Sequence, residues 1–411
     1  HGDSQMLPLF VPDDPLYQLA LVLMAGIVGG ELFGLLRLPR VTGWIATGIL
    51  LRSTAAYHGS ITGLSATTTL AMRPFMNFVL GYIAFTVGAA LHFASLRNAG
   101  RRVGLLLICE AIVTPLVVLA LLWGVAPLIV PGGISLRAAL LLATIAIVGA
   151  PGTTVLVIQE ARAKGILTRT LLGSIALIDM VAVGLFVFAA DYLAAISDGG
   201  RTWQEASPAA LATVGREFAL AFGVGVVTAV TALGLIRTIV SPAFLGPTMV
   251  AVILGTWGAA TGLAASGILA CTFAGILVSN LRHETVISTQ AYLHTIGAVL
   301  FTAFYTLAGM NLDPGLVVKV AGLVGFFVLA RFLGKYAGAY AAMTLAGAPD
   351  RIRTYLGMSM IPHGGVAVGL LLMVQTDPRL AGVAETVTAV GLAAMVVNQL
   401  IGPSGLRLAL T

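Results

Sequence analysis

Long apolar runs divided by short polar breaks follow one another from one end of the chain to the other. A bilayer core of about 30 Å takes about 20 apolar residues in helical form, and most of these runs reach that length. Setting runs against breaks predicts about thirteen segments. The first covers 15–36 and a short second covers 41–51. The runs 74–96, 103–129, 136–160, 167–195 and 208–236 follow, then 243–260, 262–280, 286–310, 314–345, 352–375 and 380–406. The run 314–345 is longer than one crossing needs, which predicts tilt or extension past the bilayer. The longest polar stretch, at about 196–207, lies near the middle. It predicts two halves, 1–195 and 208–411, each with its own interrupted helix. An odd number of crossings between matching elements would invert one half relative to the other.

Composition supports a membrane reading. The 411 residues are 58% hydrophobic and 9% charged, with a mean hydropathy of +1.01. Soluble domains carry about 25% charged residues, so the chain cannot clothe a water-soluble surface of this size. The net charge of +6 invites a nucleic-acid reading. Its distribution argues otherwise, because the basic residues gather in short loops, as topology rules require. With the N-terminus outside, loops assigned to the inside hold Arg37, Arg40, Arg101, Arg102, Arg162, Lys164, Arg351 and Arg353 among others. Those outside hold Arg52, Arg73, Arg137, Arg201, Lys319 and Arg379, a ratio of about two to one. This predicts N-out and C-in with an odd helix count. Cys109 and Cys271 both lie in apolar runs and read as small packing residues. The chain opens on His1 rather than methionine, which leaves room for sequence on either side, and its start carries no cleavable-leader pattern. Neither a phosphate-binding loop nor a paired-histidine or clustered-cysteine motif is present, so no enzyme chemistry and no cofactor is expected.

Two interruptions break the apolar pattern. Val148-Gly149-Ala150-Pro151-Gly152-Thr153-Thr154 lies within 136–160, and Ile361-Pro362-His363-Gly364-Gly365 lies within 352–375. Proline removes a backbone donor and clashes with the preceding turn, and glycine withdraws side-chain support. Each alone reads as a proline kink. Two at corresponding places in two halves read as unwound helices whose freed backbone groups line a polar site.

Ionisable residues mid-membrane are costly and usually functional. Asp179 sits inside 167–195, and Lys335 sits inside 314–345 with Arg331 one turn before it. Buried singly, Asp179 and Lys335 would each shift toward neutrality; together they would compensate each other. Glu31 and Glu110 could face a cavity, though each lies within reach of an interface. Asp191 and the pair Arg216-Glu217 read as snorkelling near segment ends. His363 reads either as a proton relay or as a hydrogen-bonded filler of the break. Asn398 and Gln399 read as interhelical hydrogen-bonding residues.

In order and spacing these features resemble the monovalent cation/proton antiporter superfamily, in particular its NapA-like and KefC-like branches. Leu38-Pro39-Arg40-Val41-Thr42-Gly43 with Ala46-Thr47-Gly48-Ile49-Leu50 is similar to the family's opening motif, with Trp44 where a Glu is usual. Phe85-Thr86-Val87-Gly88 with Leu91, Val157-Ile158-Gln159-Glu160, Ala308-Gly309-Met310-Asn311-Leu312, and Gly334-Lys335 with Gly338 match further elements. Pro362-His363-Gly364-Gly365 stands where many members have Pro-Arg-Gly-Glu. An ungapped reading from Leu172-Gly173 puts Asp179 on the second member of the family's ion-site pair. Ile178 occupies the first, normally an Asp, Asn or Gln.

The resemblance implies an all-α membrane fold of about thirteen helices in NhaA/NapA-like inverted repeats, with two crossed broken helices and a homodimer in the cell membrane. It implies exchange of Na+ or K+ for protons by alternating access. Asp179 would be the shared site, with Thr153, Thr154 and free carbonyls near Gly149 and Ala150 completing cation coordination and Lys335 as charge partner. Pro362, His363 and Gly364 would form the second break. One titratable acid implies one-for-one, electroneutral exchange. The alternatives are an anion or organic-solute carrier, in which Lys335 and helix N-termini take the negative charge, and a relative that senses without transporting.

Overall fold

A computed structural model of the chain describes residues 14–36, 38, 40–54, 64, 68–91, 100–130, 133–160, 162–197, 203–312 and 314–410. Regular structure among the described residues is entirely helical. The helices are α1 (Pro15–Leu35), α2 (Arg40–Ser53), α3 (Thr68–Ala71), α4 (Arg73–Ala89), α5 (Gly100–Leu119), α6 (Leu136–Ile145), α7 (Pro151–Glu160) and α8 (Ile166–Ser197). They continue with α9 (Trp203–Thr238), α10 (Leu245–Gly262), α11 (Gly267–Leu281), α12 (His283–Met310), α13 (Ala321–Leu345), α14 (Asp350–Ser359), α15 (Gly365–Thr376) and α16 (Ala381–Leu410). Helix α5 contains Pro115 and runs on through a π-helical turn, Ala120–Val125, to Ile129.

Helix starts follow local chemistry. Asp14 accepts from the amides of Leu16 (2.8 Å) and Tyr17 (3.1 Å), with Pro15 at the first helical position. Ser135 and Ser266 cap α6 and α11 in the same way. Seven of the described helical stretches are long and apolar enough to cross a membrane, and four shorter apolar helices accompany them. Two of those four, Leu136–Ile145 and Gly365–Gln375, belong to interrupted crossings. Leu16, Met24, Val28 and Leu32 on α1, and Ile108, Ile112 and Leu116 on α5, are exposed. A soluble protein would not leave such stripes bare; a bilayer accommodates them. The chain is an integral membrane protein.

The predicted segments and the observed helices agree within a few residues, with three differences. The run predicted over 314–345 is two helices, because Val320 turns (φ −97°, ψ 9°) between a short helix Pro314–Lys319 and the 25 residues of α13. The over-long crossing therefore shortens to ordinary length. The predicted segment 74–96 is helical over Arg73–Ala89, and its expected end lies outside the described residues. Of the polar stretch at about 196–207, residues 198–202, including Arg201, lie outside them too, as do Arg37 and Arg97; α9 is already helical at Trp203.

The chain separates into two compact units. One comprises His1–Asn77 with Ile296–Val318. There α1, α2 and the last turns of α12 pack on small residues. A Cβ added at Gly48 would lie 2.0 Å from the Thr306 carbonyl oxygen, and one at Gly309 would lie 2.2 Å from that of Ile45. Trp44 stacks on Tyr305 at 6.1 Å, and Arg52 donates to the Met310 carbonyl at 3.1 Å. Glu31 pairs with Arg40 on the exposed surface at 3.1 Å.

The other unit comprises Phe78–Thr295 with Lys319–Thr411. Helix α4 meets α11 through reciprocal glycines. A Cβ at Gly275 would lie 2.1 Å from the Phe85 oxygen, and one at Gly88 would lie 2.1 Å from that of Thr272. Such contacts let backbones close where no hydrophobic effect drives helices together. Gly275→Leu is therefore expected to lower the melting temperature in detergent sharply. Gly255→Ala, where nothing lies within 4 Å of the added carbon, should be neutral or gain up to about 1 kcal/mol from helix propensity. Equal thermal stability of the two variants would refute this packing.

Candidate functional site

Both predicted breaks exist, and they cross. The first separates α6 from α7 at residues 146–150; the second separates α14 from α15 at 360–364. They meet where the Gly364 amide donates to the Gly149 carbonyl at 2.8 Å. A Cβ at Gly364 would lie 2.6 Å from that oxygen, so the crossing requires glycine there.

Unwinding leaves carbonyls without their helical partners. In the first break every one from Ile145 to Gly149 has a donor. Ile145 accepts from His363 Nε2 (3.3 Å), Ala146 from Arg331 Nε (3.1 Å), Ile147 from Lys335 Nζ, Val148 from Arg331 Nη2 (2.8 Å) and Gly149 from Gly364. In the second break Arg331 takes the carbonyls of Ile361 (2.5 Å) and Pro362 (3.3 Å), and Gln399 donates to that of His363. The C-terminal ends of α6 and α14 both carry partial negative charge. One guanidinium, rigid and multidentate, satisfies both ends at once. The sequence placed Arg331 beside Lys335 without a role of its own. The signal that could have found it is the repeat of two cations one helical turn apart in an apolar run, against two sets of orphaned carbonyls.

Asp179, on α8, is buried. Its Oδ1 accepts from the Gly149 amide at 2.8 Å, and its Oδ2 has no hydrogen-bond partner. Beside it lies a cavity of about 10 Å³, lined by Gly149, Ala150, Thr154, Ser174, Ile178 and Pro362 among others. That is room for one water-sized body. Thr154 Oγ1 is buried there without a partner. Thr153 instead donates to Gln399 Oε1 at 3.4 Å. The carbonyls of Gly149 and Ala150, expected to be free, each accept a backbone bond already, from Gly364 and Thr154. Each oxygen keeps one lone pair.

The expected pairing of Lys335 with Asp179 is replaced by another. Lys335 Nζ lies 3.3 Å from Glu110 Oε2, with both side chains all but fully buried. Sequence reasoning left Glu110 between a cavity and an interface and gave it no partner. Its place seven residues into the apolar run 103–129 was the available signal, missed because that run holds no break. Among the described residues the buried acids are Glu110 and Asp179, and the buried Lys and Arg are Arg331 and Lys335. All four lie in the second unit.

Glu217, Asp191 and Arg379 have structural partners. Glu217 does not snorkel but accepts from the Ser266 amide (2.7 Å) at the start of α11. Asp191 pairs with Arg379 (3.0 Å), which also holds Asp377 (2.7 Å) and keeps that carboxyl below the usual carboxylate range. Asn398 is buried with its amide nitrogen unpartnered.

The model of the sodium/hydrogen exchanger transmembrane family matches residues 19–408. The chain belongs to that family, within the monovalent cation/proton antiporter superfamily, and cation/proton antiport is its class of activity. The fold is similar to that of the sodium proton antiporter MjNhaP1 from Methanocaldococcus jannaschii. A structure of that protein at pH 8 aligns with a TM-score of 0.72 at 13% identity, covering 96% of this chain and 95% of the other. An electron-microscopy map of MjNhaP1 aligns with a TM-score of 0.68 at 13% identity, covering 94% and 93%. Comparison with curated proteins brings no match. The architecture of about thirteen helices in inverted repeats with two crossed broken helices follows from these findings together.

The carbonyl accounting makes Arg331 the residue on which the crossing depends. A hydrogen bond to a charged group contributes about 1.5–3 kcal/mol. Arg331→Met should therefore cost about 3 kcal/mol or more in a detergent unfolding titration. Arg331→Lys should fall between, since one ammonium cannot reach both breaks. Native-like stability of the Met variant would remove Arg331 from this role.

Proposed function

We propose that the protein exchanges Na+ or K+ for protons one for one by alternating access, with Asp179 as the shared site. The observation that carries this reading is the Asp179 carboxylate. One oxygen is fixed by the Gly149 amide, and the other is buried without a partner close to a water-sized cavity. A buried carboxylate must be neutralised, and a proton or a monovalent cation does so equally. Thr154 Oγ1 and the second lone pairs of Gly149 and Ala150 supply the oxygen ligands that a hard cation needs. Thr153, bonded to Gln399, orients the wall rather than the ion.

The buried charges support electroneutrality. Glu110 and Lys335 cancel, and Arg331 and ionised Asp179 cancel. Loading Asp179 with H+ or with Na+ adds one positive charge in either case, so the two loaded forms carry equal charge across the bilayer. An anion carrier would depend on Lys335, whose charge here is taken up by Glu110 and the Ile147 carbonyl. Rocking of the core bundle that holds the crossed breaks would expose Asp179 to either side. The loop-charge bias supports an outside N-terminus and a cytoplasmic C-terminus in the cell membrane. The resemblance supports a homodimer.

Proteoliposomes with an entrapped pH dye, challenged with Na+, K+ and Li+, test this reading. The native protein should move protons against at least one cation without generating current. Asp179→Asn should fall to the level of empty vesicles. Thr154→Val should raise the cation KM about tenfold, the loss of one interaction near 1.4 kcal/mol. Undiminished exchange by Asp179→Asn would sink the assignment.

A further inference from the structure

Ile178 occupies the place where related proteins carry a second polar or acidic side chain, and it contributes only an apolar wall to the cavity. Lys335 would then have no acid but Asp179. Helix α5 supplies another. Glu110 Oε2 lies 3.3 Å from Lys335 Nζ, and Thr114, one turn later, donates to the same oxygen at 2.8 Å. The facing surface of α13 carries Gly334 and Gly338 at the same spacing. A Cβ at Gly338 would lie 3.1 Å from Glu110 Oε1, and one at Gly334 would lie 3.0 Å from the Thr114 carbonyl oxygen. Two i,i+4 pairs thus interlock across the helices, and α5 approaches α13 closely enough to reach Lys335 because glycine stands at both positions. The ammonium also donates to the Ile147 carbonyl in the first break. Lys335 is therefore anchored twice, and neither anchor is Asp179.

A buried ammonium stripped of its counter-charge seeks the nearest anion. Asp179, which already interacts electrostatically with Lys335, is the other buried carboxylate among the described residues. We propose that Glu110 is a positioning residue that holds Lys335 away from Asp179, so that α5 carries the acid absent at position 178 and Asp179 stays open to the transported cation. This rests on Asp179 being the cation site.

The test is a set of α5 and α13 variants assayed for cation-driven proton movement, each checked for monodispersity and melting temperature. Glu110→Gln should raise the cation KM about tenfold or more while changing kcat less, because the freed ammonium competes with the cation for Asp179. Glu110→Asp, which keeps the charge, should stay near the native KM. Glu110→Gln/Lys335→Gln, which removes both charges and keeps an N–H donor at position 335 for the Ile147 carbonyl, should return the KM to within about threefold of native (about 0.6 kcal/mol). A native KM in Glu110→Gln, or a double variant no better than the single, would overturn the proposal. Should Glu110→Gln not fold, the double variant decides alone: a near-native KM supports the proposal, and loss of folding or of exchange refutes it. Failure of the Asp179 reading is seen separately, as exchange surviving in Asp179→Asn. The ion pair is also read without transport, as non-additive losses of melting temperature in the single and double variants.

Discussion

Backbone carbonyls stranded in the membrane interior set the terms for everything around them. Opening a helix at Pro151 and again near Pro362 leaves oxygens that water cannot reach, each costing several kcal/mol if unpaired. The chain answers with donors brought from elsewhere. Arg331 joins Ala146 and Val148 of one break to Ile361 and Pro362 of the other. Lys335, His363, Gly364 and Gln399 complete the account. Because the same guanidinium serves both breaks, neither can rewind or shift alone. The crossing is held as one object, and Asp179 takes its position from that object through the Gly149 amide.

This arrangement also explains how four charges persist in a low-dielectric interior. The two cations lie at the negative ends of half-helices, where the macrodipole favours them, and Lys335 also pairs with Glu110. The two carboxylates differ. Glu110 is held by both Lys335 and Thr114 on one oxygen. Asp179 has one amide on one oxygen and nothing on the other. Each leaves its other oxygen without a partner. What distinguishes them is the partner itself: Glu110 is bound to a charged ammonium, and Asp179 to a neutral amide, the weaker of the two bonds.

Much of the fold was legible in the sequence because membrane helices are written in composition and length. Nearly every apolar run became a helix with ends displaced by a few residues, and both Pro-Gly interruptions became breaks. The run at 314–345 misled because hydropathy does not register a one-residue turn such as Val320. Asp179 stood out in the sequence as an ionisable residue inside an apolar run, and the structure buries it against the first break. What escaped was partnership. Lys335 and Glu110 are 225 positions apart, and only the interlock of Gly334 and Gly338 with Glu110 and Thr114 brings them together. Arg331 escaped for a related reason. Its partners are backbone carbonyls, which have no letter in the sequence, so the pair of cations one turn apart gains meaning only when set against the two breaks.

Ile178 can now be placed. A polar side chain at that position would sit against the cavity; with isoleucine there, that part of the wall is apolar. The lysine must then be satisfied from outside the cavity. Glu110 on α5 does this, reaching Lys335 through the glycines of α13 that let the two helices close. The apolar residue at 178 and the acid at 110 thus belong to one distribution of charge around Lys335. Each would be unfavourable without the other: isoleucine alone would leave Lys335 leaning on Asp179, and Glu110 alone would bury an unpaired carboxylate.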